Sequence, residues 1–163
     1  MVFDATRTVA LSHMLRWSFL TIAVGWAAAL PAAPFAASRP QGSDGWYAFA
    51  FATYALGSIV CHQLPSRSFH LWGVPWPVCA RCTGIYFGAA VAAVLAVVAR
   101  LDERGPALER TRLYLLSSVL PTAATLVYEW TTGHTPSNWV RAAAGCPIGV
   151  LVTWTIAVSG FRL

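Results

Sequence analysis

Charged residues are scarce in this chain of 163 residues: Asp, Glu, Lys and Arg make up only 10% of it, against 57% apolar residues. A soluble domain carries about 25% charged residues, so too few are present here to cover a surface that faces water. Lysine is absent, and the 11 basic residues are arginines that stand singly near the ends of apolar runs. Without a basic stripe or a recognised motif, a nucleic-acid partner is not expected. The composition predicts an integral membrane protein surrounded by the lipid bilayer.

The apolar runs predict an all-α membrane protein, a bundle of about five transmembrane helices forming a single domain over residues 1–163. The expected spans are approximately 17–37, 46–62, 80–100, 113–130 and 136–160. We interpret the first as a retained helix instead of a signal peptide, because it is long enough to span and further spans follow. Pro31 and Pro34 are expected to loosen its end. Thr135 is the predicted N-cap of the fifth helix, with Pro136 at its first position.

Alternation of five spans places the loop 63–78, which joins helices two and three, on the same side of the membrane as the loop that joins helices four and five. The two loops can therefore meet. The orientation is not determined, since one side carries six arginines, most of them around the connector 101–112, and the other carries five.

Cysteine and histidine residues around that loop carry the strongest chemical signal, in the order Cys61, His62, Cys79 and Cys82. A C-x-x-C step places two sulfurs on one turn, where they can bind a metal or form a disulfide. Three thiolates and one imidazole suit a tetrahedral zinc ion. His70 is an alternative to His62, because neighbouring residues do not always direct both side chains at one ion.

Dithiol redox chemistry is the rival interpretation of the same cysteines. Cys79 and Cys82 stand at the start of a helix, where the helix dipole and Arg81 would stabilise a thiolate, and Cys61 would act as a relay. The third interpretation is that the cysteines pack as small apolar residues or form a structural disulfide. Cys146, inside the fifth span, is expected to belong to the core.

Arginine residues at the start of two helices form a second constellation. Glycines four residues apart allow close helix packing in lipid, so helices three and five are each expected to have a glycine seam. In one arrangement the two seams pack against each other. Their first turns would then present Arg81 and Arg141 together, an anion site in principle to which Arg67 and Asn138 can contribute. Each arginine alone could instead extend to the lipid headgroups. The seam residues are Gly84, Gly88, Gly145 and Gly149.

Glu129 lies near the end of the fourth span, where an acid is costly and often functional. It is a candidate general base, a partner that orients a histidine, or a salt-bridge partner for Arg141. His134 is expected to be a loop residue. No catalytic residue is assigned beyond the candidate Glu129.

Two segments resemble the bacterial and archaeal membrane family called domain of unknown function 2085. These are CHQLPSRSFHLWGVPWPVCARCTGIYFG at 61–88 and SNWVRAAAGCPIG at 137–149. The resemblance implies a prokaryotic plasma-membrane location but no activity, and the family often has Asp-Gly near the position of Glu129-Trp130. The residues that it implies as the motif set are Cys61, His62, Gln63, Arg67, Cys79, Arg81, Cys82, Asn138 and Arg141.

The first functional hypothesis is a thiolate metal site, zinc being the expected cofactor, beside an arginine-lined site for an anionic lipid or a small molecule. The metal would either stabilise the loop or activate water for a hydrolase or transferase. The alternatives are a thiol–disulfide oxidoreductase coupled to quinone, a carrier of mercury or copper, and a non-enzymatic subunit of a larger membrane complex. A carrier of soft metals is expected to have a methionine-rich path, but this chain has only two methionines.

Overall fold

The computed structural model describes residues 5–39, 43–98 and 108–159. Five helices and one β-hairpin make up these ranges. The first two helices are α1 (Ala5–Ala37) and α2 (Asp44–Val60), and the hairpin strands β1 (Ser68–Leu71) and β2 (Val74–Cys79) follow them. The remaining helices are α3 (Ala80–Val98), α4 (Leu108–Thr132) and α5 (Asn138–Ser159).

Three helical segments indicate that the chain resides in a membrane. They are His13–Ala37 within α1, the whole of α3, and Asn138–Ala157 within α5. Each is long and apolar enough to cross a bilayer. Helix α2 has 17 residues, about 26 Å at 1.5 Å per residue, which is short of a hydrocarbon core of about 30 Å. Helix α4 is long enough but more polar. The described residues thus contain three candidate spans, and the five-span bundle stays a prediction.

The helix bounds differ from the expected spans in several places. Helix α1 begins before residue 17 and continues through Pro31 and Pro34 to Ala37, so these prolines do not end it. Helix α2 ends at Val60 and leaves Cys61 and His62 outside. The expected end of helix three at residue 100 and most of the connector 101–112 lie outside the described residues.

Helix α5 begins later than expected. It starts at Asn138, so Pro136 precedes the helix and Thr135 is not its cap. Ser137 takes that role, because its Oγ accepts the Val140 N–H at 3.4 Å. A hydroxyl at this position satisfies one of the free amides in the first turn.

Among the described elements, helices α3 and α5 share the largest interface. A Cβ added at Gly84 or Gly149 would collide with the backbone of Ala142 or Ile85 across that interface. Additions at Gly88 and Gly145 would meet the facing helix in the same way. The predicted glycine seam is thus confirmed on both helices, and they use it against each other. Near the other end of this pair, Leu20, Ala93, Ala96 and Ala157 form a small apolar core.

The segment 63–78, expected to be a loop, contains a 3₁₀ turn (Pro65–Arg67) and the antiparallel hairpin β1–β2. Trp72 and Gly73 form its turn, with φ of 51° and 76°. Positive φ at both central residues is typical of the two-residue turn whose twist matches that of a hairpin. The two prolines of β2 made the segment resemble a loop, but a strand with one unpaired edge tolerates them.

Candidate metal centre and arginine cluster

Three cysteines that are distant in sequence come together where α2, β2 and α3 meet. We refer to Cys61, Cys79 and Cys82 as the cysteine cluster. Their Sγ atoms all lie within 4.8 Å of one another, and all three thiols are free. Cys61 is the residue after α2, Cys79 ends β2, and Cys82 is in the first turn of α3. The Cys79 N–H donates to Sγ of Cys61 at 3.1 Å, so a backbone hydrogen bond also joins two of the segments.

Gln63 holds these segments in register. Its backbone has a φ of 50°, and its side-chain amide donates to the carbonyl oxygens of Tyr54 and Pro77, each at 2.7 Å. The Tyr54 hydroxyl donates to the carbonyl of Pro75, and Gly57 contacts the Pro77 carbonyl so closely that a Cβ would not fit. Helix α2 is thereby fastened along β2, which places Cys61 beside Cys79.

The cluster has the spacing and chemistry of a thiolate metal site. Zinc–sulfur bonds of about 2.3 Å in a tetrahedron separate the sulfurs by about 3.8 Å, within the observed limit. A hydrogen bond from the Cys82 thiol lowers the pKa of Cys79 to about 5, with smaller contributions from Cys61 and His62, although burial opposes the shift. A thiolate is the form that binds a metal. Three cysteines that lose their protons when a metal binds would fit zinc and would leave one further ligand to be supplied.

Neither candidate histidine has a ring nitrogen within the group of cysteine sulfurs. His62 is exposed, and its Nδ1 accepts the Leu64 N–H at 3.2 Å, which leaves Nε2 free to bind. His70 is exposed in β1. Cys146 is half-buried and lies apart from the cluster, against Gly88. The assignment of His62 or His70 as the fourth ligand stays a prediction.

Three arginines from separate segments surround Glu129, and we refer to these four residues as the arginine cluster. Arg81 and Arg141 both donate to Oε1 of Glu129, the latter from Nε at 3.1 Å. Arg67 is 3.7 Å from Oε2. Glu129 is only 8% exposed and Arg141 only 2%. The expected meeting of Arg81 and Arg141 at the helix starts is confirmed, and so is the pairing of Glu129 with Arg141.

The charges of this cluster do not balance. Three guanidinium groups against one carboxylate leave two positive charges. Arg141 engages Glu129 through one nitrogen, and its buried Nη2 has no hydrogen-bond partner among the described residues. A buried donor without a partner is costly, and arginine usually pairs with an acid through two parallel bonds. The cluster therefore has an excess of positive charge and a buried donor without a partner among the described residues.

Thr125 completes the surroundings of Arg81, a contact that sequence reasoning did not identify. Its hydroxyl accepts from Nε and Nη2 of Arg81 at 3.4 and 3.3 Å. Thr125 precedes Glu129 by four residues, so both lie on one face of α4, and this spacing was the available signal. Asn138, expected near the anion, donates instead to the Ser68 carbonyl at 2.9 Å and joins α5 to β1. His134 is exposed in the loop after α4.

Arg81 connects the two clusters. It lies between Cys79 and Cys82 in the chain, yet its guanidinium contacts α4 and not the sulfurs. The first turn of α3 therefore carries a sulfur of the cysteine cluster on one face and a guanidinium of the arginine cluster on another. Any group that fixes this turn through the sulfurs also fixes the position of Arg81.

Apolar spanning helices with a polar cluster at their ends define an integral membrane protein. A model of a family described as a predicted membrane protein (DUF2085) matches residues 61–155, which is more than half of the chain. The chain belongs to this family, so the resemblance carried by the CHQ and CARCTGIY segments is confirmed.

Two archaeal relatives are similar to this chain. An uncharacterised protein of Methanocaldococcus jannaschii is 36% identical over 93 residues, which are 56% of this chain and 57% of the relative. An uncharacterised protein of Methanothermobacter thermautotrophicus is 32% identical over 91 residues, 56% of this chain and 78% of the relative. The chain thus matches little more than half the length of the first relative. No solved structure matches the chain. The family and the archaeal relatives agree with the expected location in a prokaryotic membrane.

Proposed function

We propose that this protein binds a small oxyanion, a phosphate or a carboxylate, in the arginine cluster, and that a zinc–thiolate centre holds the framework of that site. The unpartnered Nη2 of Arg141 carries the proposal. This nitrogen is buried in a cluster with two uncompensated positive charges. Phosphate and carboxylate oxygens are the acceptors that a guanidinium binds best, since they match two of its donors at once.

The helix ends add to the positive potential. Arg81 and Arg141 lie in the first turns of α3 and α5, where the amides of each helix carry a partial positive charge. A cation at this end is unfavourable for its own helix, so the pair of arginines is not explained by helix stability. Helix amino termini and arginines together are a common arrangement for binding oxyanions.

The proposed zinc has an organising role. Bound to Cys61, Cys79 and Cys82, it would join the end of α2, the end of β2 and the first turn of α3. The hydrogen bonds of Gln63 already hold α2 against β2. The metal would attach the first turn of α3, which carries Arg81, to this pair. With one ligand still to be supplied by His62, His70 or a water molecule, this role does not require the metal to take part in a reaction.

Binding of inorganic phosphate tests the anion site. The purified protein is titrated with phosphate at constant ionic strength, and the melting temperature is measured, because a ligand of the folded state raises it. We expect a rise for the native protein and, for Arg141→Lys, an affinity at least about tenfold lower, since lysine keeps the charge but loses the planar set of donors. Arg39→Lys is the matched control, because Arg39 is exposed and stacks on Phe35.

A second arm identifies the source of the anion. Reconstitution into phosphatidylcholine vesicles with and without phosphatidylglycerol distinguishes a lipid headgroup from a free anion. A stabilisation by phosphatidylglycerol that Arg141→Lys abolishes would assign a lipid phosphate. If neither phosphate nor the anionic lipid stabilises the native protein more than Arg141→Lys, the arginine cluster is not an anion site.

A further inference from the structure

The members of the arginine cluster differ in how much of each side chain is exposed. The side chains of Arg141 and Glu129 are buried, with only 3% and 5% of their surface exposed. Arg81 keeps 14% of its side-chain surface exposed, and Arg67 keeps 37%. A ligand that reaches the cluster from outside therefore meets Arg67 and Arg81 before it meets the buried pair.

The charges of the cluster divide in the same way. Arg141 donates from Nε to Oε1 of Glu129 at 3.1 Å, and these two buried charges of opposite sign offset each other. Arg81 shares the same carboxylate oxygen, and Arg67 stands on the side of Oε2. One carboxylate cannot neutralise all three cations, so an excess of two positive charges lies at the accessible end, where Arg67 and Arg81 are.

Hydrogen-bond donors are also available at this end. The guanidinium of Arg67 is 3.7 Å from Oε2 of Glu129, which is longer than a hydrogen bond, and it has no other partner among the described residues. Arg81 uses Nε and Nη2 toward Thr125 and Glu129, which leaves its Nη1 without a bond to the described part of the chain. An anion can bind these donors without displacing an existing hydrogen bond.

The backbone that carries Arg67 is fixed to the start of α5. Arg67 ends the 3₁₀ turn, and its N–H donates to the Leu64 carbonyl at 2.9 Å. The next residue, Ser68, is fully buried, and its carbonyl accepts from the side chain of Asn138 at 2.9 Å. Asn138 precedes Arg141 by three residues on α5. The backbone of Arg67 is thus held beside the cluster while its guanidinium stays accessible.

The excess of two charges distinguishes between classes of phosphate. A phosphate monoester has a second pKa of about 6, so at about pH 8 it carries two negative charges, whereas a phosphodiester carries one. A charge that stays unpaired in a partly buried site costs free energy. A dianion pairs with both accessible arginines through several oxygens at once, and a monoanion leaves one of them unpaired.

We infer that the ligand of the arginine cluster is a dianionic phosphate, either inorganic phosphate or a phosphate monoester, and that Arg67 determines the preference for this class over phosphodiesters. The inference rests on the proposed function and narrows the ligand to one chemical class. Among lipids, the monoester headgroup of phosphatidic acid belongs to this class, and the diester headgroup of phosphatidylglycerol does not.

Methyl phosphate and dimethyl phosphate are the matched probes, because they share the phosphoryl group and differ in charge. Each is titrated into the purified protein at constant ionic strength and about pH 8, and the melting temperature is measured. We expect methyl phosphate to bind at least about tenfold more tightly, since the diester loses a charge-assisted contact. Equal affinities would overturn the preference for a dianion and leave the cluster an anion site. No response to either ester would overturn the anion site and the inference together.

Arg67→Gln tests the residue that determines the preference. Binding of methyl phosphate should weaken at least about tenfold, while dimethyl phosphate, which Arg81 alone can neutralise, should change less than about threefold. Without ligand, the melting temperature should stay within about 4 °C of the native value, because the ion pair of Arg67 is long and half-exposed.

Two further variants separate charge from other effects. Arg67→Lys keeps the charge and should keep the preference for methyl phosphate. Arg39→Gln removes an exposed charge outside the cluster and should leave both affinities unchanged. A preference that survives in Arg67→Gln, or that Arg39→Gln abolishes equally, would overturn the role of Arg67.

Reconstitution distinguishes a lipid headgroup from a free phosphate. The protein is placed in phosphatidylcholine vesicles that contain equal fractions of either phosphatidic acid or phosphatidylglycerol. A higher melting temperature with phosphatidic acid, lost in Arg67→Gln, would assign the dianion to a lipid. Equal melting temperatures, together with binding of methyl phosphate, would assign it to a free phosphate. Greater stabilisation by phosphatidylglycerol would overturn the inference.

Discussion

At the scale of single residues, Glu129 joins three arginines that belong to the 3₁₀ turn, α3 and α5. A buried charge that loses its partner costs about 3–5 kcal/mol, and here one carboxylate serves several cations. Glu129 is thus both a structural centre and an internal anion that occupies part of the positive cluster. Removal of the carboxylate should therefore lower the stability of the fold and, at the same time, strengthen the attraction of the cluster for an added anion.

Glu129→Gln should separate the two roles. We expect the free energy of unfolding to fall by about 3 kcal/mol, because three buried or half-buried guanidinium groups lose their counter-charge. Added phosphate should raise the melting temperature of this variant more than that of the native protein, since the site then carries one more uncompensated positive charge. Asp44→Asn, at an exposed acid, is the control. An unchanged stability and an unchanged phosphate response would contradict the proposed electrostatics.

The cysteine cluster leads to a prediction about metal content. Elemental analysis of detergent-purified protein should find about one zinc per chain with reduced thiols, and Cys79→Ser or Cys82→Ser should release it, because each removes a thiolate ligand. Cys146→Ser should retain the metal, since Cys146 is outside the cluster.

A free-thiol count on the same samples distinguishes the alternatives. Absence of metal together with the loss of two thiols would favour the dithiol redox or disulfide interpretation, with quinone as the expected partner in the redox case. If Cys79→Ser leaves the zinc content unchanged, the ligand assignment is wrong.

At the scale of elements, the α3–α5 pair positions both clusters, because the first turns of these helices carry Cys82, Arg81 and Arg141. Their glycines permit backbone contact, which side chains would prevent. Close contact of this kind is a main source of helix association in lipid, where the hydrophobic effect does not separate helix from solvent.

Gly84→Ala should therefore destabilise the protein by about 1–3 kcal/mol, because the added methyl group collides with the Ala142 backbone. Gly25→Ala is the matched control in a helix interior with open space around it, and it should be neutral or stabilising by up to about 1 kcal/mol. Thermal unfolding in one detergent compares the two. Equal effects of the two substitutions would contradict the close packing of the seam.

The hairpin β1–β2 illustrates what local reasoning missed at this scale. Pro75 and Pro77 favour a loop at 63–78 when only the sequence is considered, since proline lacks the N–H that a strand interior needs. In a sheet of two strands, however, each strand has an unpaired edge. The fastening of β2 to α2 by Gln63 and Tyr54 depends on tertiary contacts, which no local pattern shows.

At the scale of the whole molecule, the number of spans decides on which side each loop lies. Epitopes inserted after Gly105 and after Thr135 test it, with antibody access measured in spheroplasts and in inverted vesicles. Five spans predict that the two epitopes lie on opposite sides, because α4 would cross between them. Access from the same side would show that α4 does not cross, although the contacts of Glu129 with α3 and α5 would still hold.

The sequence alone determined the properties that depend on composition and short spacing. Scarcity of charge predicted the membrane, glycines at intervals of four predicted the α3–α5 seam, and the C-x-x-C step with a distant Cys61 identified the candidate ligands. Each of these is a local rule that a residue follows whatever its distant neighbours are. For that reason they could be read before any contact was known.

Only the tertiary structure decided which groups meet. Glu129 is 48 residues from Arg81 and 12 from Arg141, and its sharing of one oxygen between them depends on the packing of α4 against α5. The same packing leaves Nη2 of Arg141 buried without a hydrogen-bond partner in the part of the chain that the structure describes. Burial and hydrogen-bond satisfaction are set by all the surrounding elements together, so these features are established only when the helices and the hairpin assemble.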